Sequence, residues 1–375
     1  MENNFNIKYI HLIFLLLFAC KPLVTTFDDF ESAIYYSASN INEAEYKDTL
    51  KVMTWNIRFG AARIAWFGDS CGDRVLMSEN ETILHLESIT NFLDTMFHKP
   101  DIILLQEVDI SSKRSAYLDQ VQWLLDHSHF NYGVYASMWQ ADIIPSDGLG
   151  KVNVGNAILS RYQIIDAERI KLPLRSDQED LTQYFYLRRN ILKAKINLQE
   201  NELYAVNIHA TAFATDDTKQ QHIDSYLNVL ENINSENHIF ISGGDLNSLP
   251  PNAEQWDYCL TDMCSGENFH NEENGAPHRE GSFFNNFENE LNILEPLYDN
   301  YYSAIPTESR NEQENFTHSP WNEERLGVDE NYWDRKLDYL FTNNSSGYLN
   351  GETYQTAHQL SDHAPVSALI VLTSK

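Results

Sequence analysis

The sequence predicts an α/β fold in one large domain, and three observations support this prediction. Short apolar runs alternate with helical patterns from residue 51 to residue 372. One polar segment late in the chain interrupts this alternation, but nothing divides it into two units of domain size. In addition, 42% of the residues are hydrophobic and 12% are aromatic, which is enough apolar mass for a large core.

The individual elements follow from the period of the apolar residues. The run at 100–107 is almost continuously apolar, which is typical of a strand buried on both faces. In contrast, Leu86, Ile89 and Leu93 recur at the spacing of one helix face. The same criteria predict strands over 51–57, 100–107, 154–160, 189–198, 204–209, 238–243, 336–342 and 364–372. They predict helices over 79–97, 117–125 and 218–232.

The first residues of the chain predict export. Residues 1–19 end in a short apolar run that is too short to span a bilayer and is typical of a secretory signal peptide. The sequence LFAC at residues 17–20 resembles a bacterial lipobox, although its Phe18 departs from the usual small residue. We therefore expect a lipid on Cys20, a tether over 20–48 and a cell-envelope lipoprotein of a bacterium. A secreted soluble protein and a buried first strand are the alternatives.

The other three cysteines are Cys71, Cys259 and Cys264. An exported protein meets an oxidising compartment, where disulfides persist. Cys259 and Cys264 are close enough in sequence to close a small loop, which would leave Cys71 as the odd thiol, but the sequence alone does not fix the pairing. A zinc site is the competing interpretation, and the usual C-x-x-C spacing for one is absent.

The charge of the chain limits its partners. Lys and Arg number 26 against 55 Asp and Glu, so the net charge is −29. Nucleic-acid coating depends on neutralising phosphates with Lys and Arg, and this composition excludes it as a general role. Many of the acids lie in the polar segment 266–334, which has little periodicity. We interpret this segment as an insertion or a set of substrate-facing loops within the domain 49–375.

Polar side chains gather where the apolar runs stop. In open α/β folds, ligands bind outside the strand ends, so these side chains are expected to converge on one site. The residues concerned are Asn56, Glu107, His209, Asp245, Asn247, Asp338, Asp362 and His363.

The blocks around these residues resemble the endonuclease/exonuclease/phosphatase superfamily of metal-dependent phosphoesterases. That group includes deoxyribonucleases, abasic-site endonucleases, inositol polyphosphate phosphatases and sphingomyelinases. The resemblance implies a four-layer α/β sandwich, in which two mainly antiparallel or mixed sheets pack face to face with helices outside. Seven blocks in the order of the family carry it: TWNI at 54–57, LQE at 105–107, NAILS at 156–160, VNIH at 206–209, GGDLNS at 243–248, LDYL at 337–340 and SDHAP at 361–365.

The resemblance also implies the chemistry and the role of each residue. Phosphoester hydrolysis needs a cation on the phosphoryl oxygens, a positioned water and stabilisation of the developing charge. Glu107 would bind Mg²⁺, with Mn²⁺ or Ca²⁺ as alternatives, and Asp362 would be a second contact. Asp245 would deprotonate the attacking water, and Asn247 would hold that water or a phosphoryl oxygen.

The remaining residues would bind the phosphate. Asn56 would lie near the metal and the phosphate, and Arg189 occupies the place of a phosphate-binding Arg in some relatives. His363 would donate to a phosphoryl oxygen with Asp338 behind it, because a carboxylate stabilises an imidazolium. His209 would assist the leaving group or the phosphate from the other side.

Two departures from the family pattern narrow the range of expected substrates. Arg58 stands where abasic-site endonucleases have an acid, and Asp109 stands where digestive deoxyribonucleases have an Arg. Together with the net charge, they disfavour double-stranded nucleic acid and favour a small or headgroup-like phosphoester. We therefore expect an exported, monomeric phosphoesterase. A secreted nuclease and a non-catalytic ligand-binding lipoprotein are the alternatives.

Overall fold

Two mixed sheets of seven strands each lie face to face in the structure, a computed structural model that describes residues 23–68, 71–199, 201–269, 275–320 and 332–372. The predicted signal peptide and Cys20 lie outside the described residues. Among the helices of the described ranges, none has both the length and the apolar character needed to cross a membrane.

The described residues form fourteen strands, numbered in chain order. They are β1 (Phe30–Ser32), β2 (Ile34–Ser37), β3 (Thr49–Asn56), β4 (Ile102–Asp109), β5 (Tyr132–Ile144), β6 (Gly150–Ser160), β7 (Ile164–Lys171), β8 (Asn190–Leu198), β9 (Asn201–His209), β10 (Ile239–Asp245), β11 (Tyr302–Ser303), β12 (Asp338–Thr342), β13 (Tyr348–Thr353) and β14 (Val366–Val371). The first sheet has the order β13-β14-β3-β4-β6-β5-β2, and the second has the order β1-β7-β8-β9-β10-β12-β11.

Each sheet contains one parallel pair near its centre. β3 runs parallel to β4 in the first sheet, and β9 runs parallel to β10 in the second. The other neighbouring strands are antiparallel. The carboxyl ends of the two parallel pairs meet at one edge of the sandwich, because Asn56 at the end of β3 contacts Asp245 at the end of β10.

Helices cover the outer faces of both sheets. They are α1 (Glu79–Thr95), α2 (Gln120–Asp126), α3 (Asp180–Phe185), α4 (Thr218–Ser235), α5 (Cys259–Asp262) and α6 (Glu295–Asn300). Leu86 and Ile89 of α1 pack with α2 against the outer face of the first sheet, and Ile223 of α4 packs with α6 on the second. An apolar layer that includes Leu104 and Leu192 fills the space between the sheets. The four-layer α/β sandwich predicted from the sequence is therefore confirmed.

A polar contact crosses this apolar layer beneath the strand ends. Asn207 of β9 donates its two amide N–H groups to the carbonyl oxygens of Leu105 at 2.8 Å and Ala157 at 2.9 Å, both in the other sheet. Gln106 donates to Asn207 Oδ1 at 2.7 Å. Because these groups are buried, the contact satisfies polar atoms that would otherwise be costly, and it fixes one sheet against the other.

The segment expected to be a tether is partly built into the domain. β1 pairs with β7 at the edge of the second sheet, and β2 pairs with β5 at the edge of the first. Residues 30–37 therefore cross from one sheet to the other and are part of the folded domain. The sequence analysis missed β1, β2, β5, β7, β11 and β13. The edge strands β1 and β2 escaped prediction because they are short, mostly exposed and lack the continuous apolar run of a central strand.

The disulfide differs from the one that proximity in sequence suggested. Cys71 is bonded to Cys264, 193 residues away in the chain, and Cys259 is a free, buried thiol. The pairing of Cys259 with Cys264, which the sequence allowed without fixing, is therefore not the one formed. Proximity in sequence could not identify the bonded pair, since the fold brings the loop before α1 against the segment after α5.

Candidate active site

Asn56 connects two carboxylates where the parallel strand pairs end. Its Nδ2 donates to Asp245 Oδ2 at 3.1 Å and lies 3.2 Å from Glu107 Oε1, to which it also donates. Asn56 and Asp245 are almost completely buried, whereas the Glu107 side chain is 26% exposed. The two sheets thus each contribute a carboxylate to one site, and Asn56 holds them together.

A β-bulge aims Glu107 into the cleft between the strand ends. The register of β4 against β6 shifts between Leu105 and Val108, and Glu107 adopts a left-handed φ of 56°. A bulge commonly re-aims a side chain beside an active site, and a non-glycine residue at positive φ is held there at a cost in energy. Among the described residues only Oε1 of Glu107 accepts a hydrogen bond, so its other oxygen is free to bind a ligand.

Asp338 and His363 form a buried, hydrogen-bonded pair in the site. His363 Nδ1 lies 2.8 Å from Asp338 Oδ2, and His363 Nε2 lies 3.8 Å from Asp245 Oδ2. Burial alone would lower the pKa of His363, but the charges of Asp338 and Asp245 outweigh it and raise that pKa to about 10. The imidazole therefore carries a proton near neutral pH.

The pKa of Asp245 is shifted in the direction that suits a general base. Burial, and then repulsion from Asp338, raise the pKa of Asp245 to about 7, although His363 and the hydrogen bonds from Asn56 and Asn247 oppose the shift. A carboxylate that titrates near neutral pH is an effective acceptor for a water proton.

His209 is the second histidine beside Asp245. Its Nε2 is 3.3 Å from Asp245 Oδ2 and 3.9 Å from Glu107 Oε1. Burial, together with the positive charges of Arg189 and His363, lowers the pKa of His209 well below its ordinary value. This imidazole is therefore neutral, in contrast to His363, and the site contains one charged and one neutral histidine.

Asn247 follows Asp245 by two residues in a tight turn. Its backbone N–H donates to Asp245 Oδ1 at 3.0 Å, and its Nδ2 donates to the carbonyl oxygen of Ala210 at 3.1 Å. Its φ of 47° is left-handed, a conformation that Asn tolerates better than most residues. The side chain lines the cleft, so its remaining polar capacity faces the position of a bound water or phosphate.

Arg189 is a buried cation with unused hydrogen-bonding capacity. Its Nη1 contacts Met138 Sδ at 3.8 Å, and its Nε has no hydrogen-bond partner. Within the described ranges no carboxylate lies within 4.0 Å of its guanidinium. Burial lowers the pKa of Arg189, while the nearby charges of Glu107 and Asp245 oppose that shift. A guanidinium in this state is well suited to receive a phosphate.

Asp362 lines the same cleft, but its carboxylate forms an ion pair with an arginine. Its Oδ2 lies 3.2 Å from Arg58 Nε, and its Oδ1 accepts from Ser361 Oγ at 3.2 Å. Although burial opposes the shift, Arg58 and His363 lower the pKa of Asp362 to about 2. Arg58, the residue in place of the acid expected from abasic-site endonucleases, therefore compensates the charge of the expected second metal contact.

The residues present fit a hard divalent cation at Glu107. Asp245, Asp338 and His363 also offer ligand atoms within 4.8 Å of one another. However, Asp338 and His363 already share a hydrogen bond and His363 is protonated, so a cation there would have to displace that proton. Glu107, whose carboxylate is partly exposed and has a free oxygen, is the better ligand for an ion that keeps most of its waters.

Sequence reasoning missed two cleft residues, His318 within the polar segment and Arg335 directly after it. His318 packs edge-on against His363 with ring centroids 5.3 Å apart, and Arg335 is buried between Asp262 and Asp334 at 2.7 Å and 2.6 Å. No periodic pattern surrounds these positions, so the only available signal was the presence of His and Arg in or beside a segment already expected to face the substrate.

The cleft that contains these residues has a volume of about 290 Å³ and carries balanced charge. Five arginines line it. Four of them already face carboxylates within 4.0 Å, namely Arg58 with Asp362, Arg114 with Asp109, Arg279 with Glu267, and Arg335 with Asp262 and Asp334. Arg189 is thus the one cleft arginine, in the described part of the chain, that is not neutralised by a carboxylate.

This fold and this set of strand-end residues define a phosphoesterase-like α/β sandwich. The sequence matches the model of the Endonuclease/Exonuclease/phosphatase family over residues 53–363. The chain therefore belongs to that family, whose members are metal-dependent nucleases and phosphatases. It is accordingly placed among hydrolases of phosphoesters.

Solved structures show the same fold at low sequence identity. An endonuclease/exonuclease/phosphatase from Beutenbergia cavernae DSM 12333 is 16% identical with a TM-score of 0.50, over 87% of this chain and 72% of that chain. One from Bacteroides vulgatus is 15% identical with a TM-score of 0.50, over 87% of this chain and 100% of that chain. A humanized D. rerio TDP2 is 14% identical with a TM-score of 0.50, over 86% of this chain and 99% of that chain. A search of curated protein sequences finds no match.

Proposed function

We propose that the protein is an exported, Mg²⁺-dependent phosphoesterase that hydrolyses a small or headgroup-like phosphodiester or phosphomonoester by in-line attack of water. The observation that carries the proposal is the arrangement of Asp245, His363 and Asp338 beside Glu107. It supplies a base of raised pKa, a protonated donor with its supporting carboxylate, and a free metal-binding oxygen within one cleft.

The residues have complementary tasks in this proposal. Asp245 takes a proton from the attacking water, which Asn247 helps to orient. His363 donates from Nε2 to a phosphoryl oxygen, while Asp338 keeps the imidazole protonated and holds its orientation. Glu107, with Asp362 as a further contact, would hold Mg²⁺, which when bound supplies positive charge to the phosphoryl oxygens.

Three further residues would bind the phosphate and the leaving group. The guanidinium of Arg189 offers two parallel N–H donors to the phosphoryl oxygens, the usual geometry of Arg on phosphate. Asn56 orients Glu107 and Asp245 toward each other. His209 is neutral, and it lies where it can donate to the phosphate or to the leaving oxygen.

The preference for a small substrate follows from the charges of the cleft. Four of the five cleft arginines are compensated by carboxylates, so the cleft offers one guanidinium for one phosphate group. A protein that tracks a duplex uses many Lys and Arg contacts along the backbone, and the net charge of −29 opposes such contacts.

Catalysis is tested with bis-p-nitrophenyl phosphate and p-nitrophenyl phosphate in the presence of Mg²⁺. Turnover is expected to disappear with a chelator and return with Mg²⁺. Asp245→Asn and His363→Gln should each reduce kcat by about 10²–10⁴-fold. His238→Gln, on the outer surface beside Tyr204, is the matched control and should behave like the wild type. The proposal fails if the folded protein turns over no phosphoester in a panel of sphingomyelin, inositol phosphates, nucleotides and DNA.

Export and lipidation rest on separate observations. The apolar run before Cys20 and the LFAC sequence support them, and the Cys71–Cys264 disulfide fits an oxidising compartment. Cys20→Ala should move the protein from the membrane fraction to the soluble exported fraction and abolish labelling with a fatty acid. If the variant distributes and labels like the wild type, the protein is not anchored through Cys20.

A further inference from the structure

A second cluster of chemically reactive side chains lies outside the catalytic residues. Asp257, Cys259 and His278 bring a carboxylate oxygen, a thiol sulfur and a ring nitrogen within 4.8 Å of one another. Cys259 is buried at the start of the short helix α5, and the other two side chains are about one third exposed. The cluster is therefore reachable from solvent on one side and closed by protein on the other.

Two of the three distances within the cluster match the edges of a tetrahedral zinc site, and the third, between sulfur and oxygen, lies within 4.8 Å. Cys259 Sγ lies 3.6 Å from His278 Nδ1, and Asp257 Oδ2 lies 3.5 Å from the same nitrogen. Typical zinc bonds to sulfur, nitrogen and oxygen place such ligand atoms about 3.5 Å apart for sulfur and nitrogen and about 3.3 Å apart for oxygen and nitrogen. The ring nitrogen of His278 therefore lies at zinc-ligand distances from both of the other ligand atoms.

Each of the three ligands is held in place by a contact of its own. The backbone N–H of Cys259 donates to Asp257 Oδ1 at 2.9 Å, which leaves Oδ2 directed toward the cluster. The backbone N–H of Arg279 donates to Cys259 Sγ at 3.3 Å, but burial and the charge of Asp257 outweigh this contact and raise the pKa of the thiol to about 11, so metal binding would have to displace the thiol proton. The His278 ring stacks on Phe283 with centroids 3.5 Å apart, which fixes its plane. Such supporting contacts are characteristic of metal ligands.

We propose that Asp257, Cys259 and His278 form a binding site for Zn²⁺, with water as the fourth ligand. A thiolate and an imidazole together favour zinc over the Mg²⁺ expected at Glu107, which prefers oxygen ligands. The disulfide between Cys71 and Cys264 leaves Cys259 as the free cysteine of the described residues, so the site is compatible with an oxidising compartment.

The position of the cluster links it to the catalytic cleft. The residues that follow His278, at 279–282, line the cleft. The backbone N–H of Tyr258 donates to the carbonyl oxygen of Ser282 at 2.8 Å, and that of Phe284 donates to Trp256 at 2.9 Å. A zinc ion that joins the segment 257–259 to His278 would therefore hold one wall of the cleft, and it would do so without contacting the substrate.

The test uses the full mature protein in excess Mg²⁺, so that the Glu107 site is saturated. Co²⁺ is added as a spectroscopic probe, because a thiolate bound to Co²⁺ gives a charge-transfer band in the near ultraviolet. We expect this band at one equivalent of Co²⁺, its displacement by Zn²⁺, and its loss in Cys259→Ser and His278→Gln. The exposed His98 provides the control variant His98→Gln, which should keep the band. In the wild type, Zn²⁺ should slow alkylation of Cys259 by at least about tenfold.

Three results would overturn the proposal. These are a wild type that gives no thiolate band, a Cys259→Ser variant that binds as much zinc as the wild type, and peptide mapping that finds Cys259 in a disulfide with Cys71 or Cys264. If Cys259→Ser does not fold, the alkylation rate of the wild type with and without Zn²⁺ decides the question alone. None of these readouts depends on phosphoester turnover, so the proposal stands or falls separately from the proposed function.

Discussion

Asp338 places its carboxylate 2.8 Å from His363 Nδ1, at the start of a strand whose other residues are all buried. An acid in this position would be costly without a partner, and the imidazole provides one. The same pair leaves Nε2 of His363 directed toward Asp245, 3.8 Å away. Asp338 is therefore a positioning residue that acts on both groups of the proposed acid–base pair through its charge.

The first prediction is a bell-shaped dependence of kcat/KM on pH. The working form has Asp245 ionised and His363 protonated. Asp245 loses its proton as the pH rises through about 7, so activity should rise there. His363 loses its proton as the pH rises through about 10, so activity should fall there. The profile is measured at saturating Mg²⁺. Because the two groups interact, its two apparent pKa values describe the Asp245–His363 pair and not either residue alone. A rate that keeps rising beyond pH 10 would contradict the role of His363.

The second prediction concerns Asp338→Asn. The charge of Asp338 raises the pKa of both His363 and Asp245, so its removal should move both limbs of the pH profile to lower pH. We expect the alkaline limb to move by roughly one to three pH units. A merely structural role would lower the plateau and leave the limbs in place. Asp166→Asn, at an exposed position of β7, is the control variant.

The third prediction separates binding from stability at Arg189. A buried cation without a carboxylate partner destabilises a fold, so Arg189→Met should raise the Tm while reducing kcat/KM by about 10²-fold or more. Arg189→Lys should also lose activity, because a single ammonium does not replace the two parallel donors. The neighbouring Arg188 bonds the carbonyl oxygens of Tyr184 and Tyr186, and Arg188→Lys is the matched control. Equal losses in both Lys variants would contradict a specific phosphate contact.

The fourth prediction addresses the size of the substrate. If one guanidinium meets one phosphate group, log kcat/KM should fall with log salt concentration with a slope of about −1 or shallower. A long polyanion that contacts several cations would give a much steeper slope. The slope is measured from 50 to 500 mM salt with a small phosphoester and with single-stranded and duplex DNA. High activity on DNA with a steep slope would favour the nuclease alternative.

Much of the fold could be predicted because the central strands are unambiguous. The parallel strands β3, β4 and β10 are rich in apolar and β-branched residues and have a polar residue at the end, and this pattern requires no knowledge of the tertiary structure. The edge strands β1 and β2 could not be predicted in this way. They are stabilised by backbone hydrogen bonds to β7 and β5, and their side chains are mostly exposed.

The candidate site could be predicted for the same reason. The features of the site that could not be predicted have physical causes. Strand ends converge, so Asn56, Asp245 and His363 could be assigned to one cleft. The bulge at Glu107 and the ion pair of Arg58 with Asp362 depend on backbone conformations at positive φ, which the sequence does not specify for these residue types. Likewise, the Cys71–Cys264 disulfide depends on two loops that meet only in the folded chain.

The last prediction tests the contact that joins the sheets beneath the site. Asn207 is the donor to two carbonyl oxygens of the opposite sheet, and one of them belongs to Leu105 at the start of the bulge that aims Glu107. Asn207→Ala removes the donor to these two buried carbonyl oxygens, at a cost of about 1–3 kcal/mol for each group left unsatisfied where water cannot reach it. The amide of Gln106 keeps its contacts with Thr54 and Leu104.

We therefore expect Asn207→Ala to lower the free energy of unfolding by at least about 2 kcal/mol in urea titrations. It should also raise the Mg²⁺ concentration needed for half-maximal activity, because the backbone that presents Glu107 loses a constraint. Asn197→Ala, on the exposed side of β8, is the control and should change neither quantity. A loss of stability without any change in the Mg²⁺ dependence would mean that the bulge is held by the strand pairing alone, and that the contact between the sheets stabilises the fold without positioning the metal ligand.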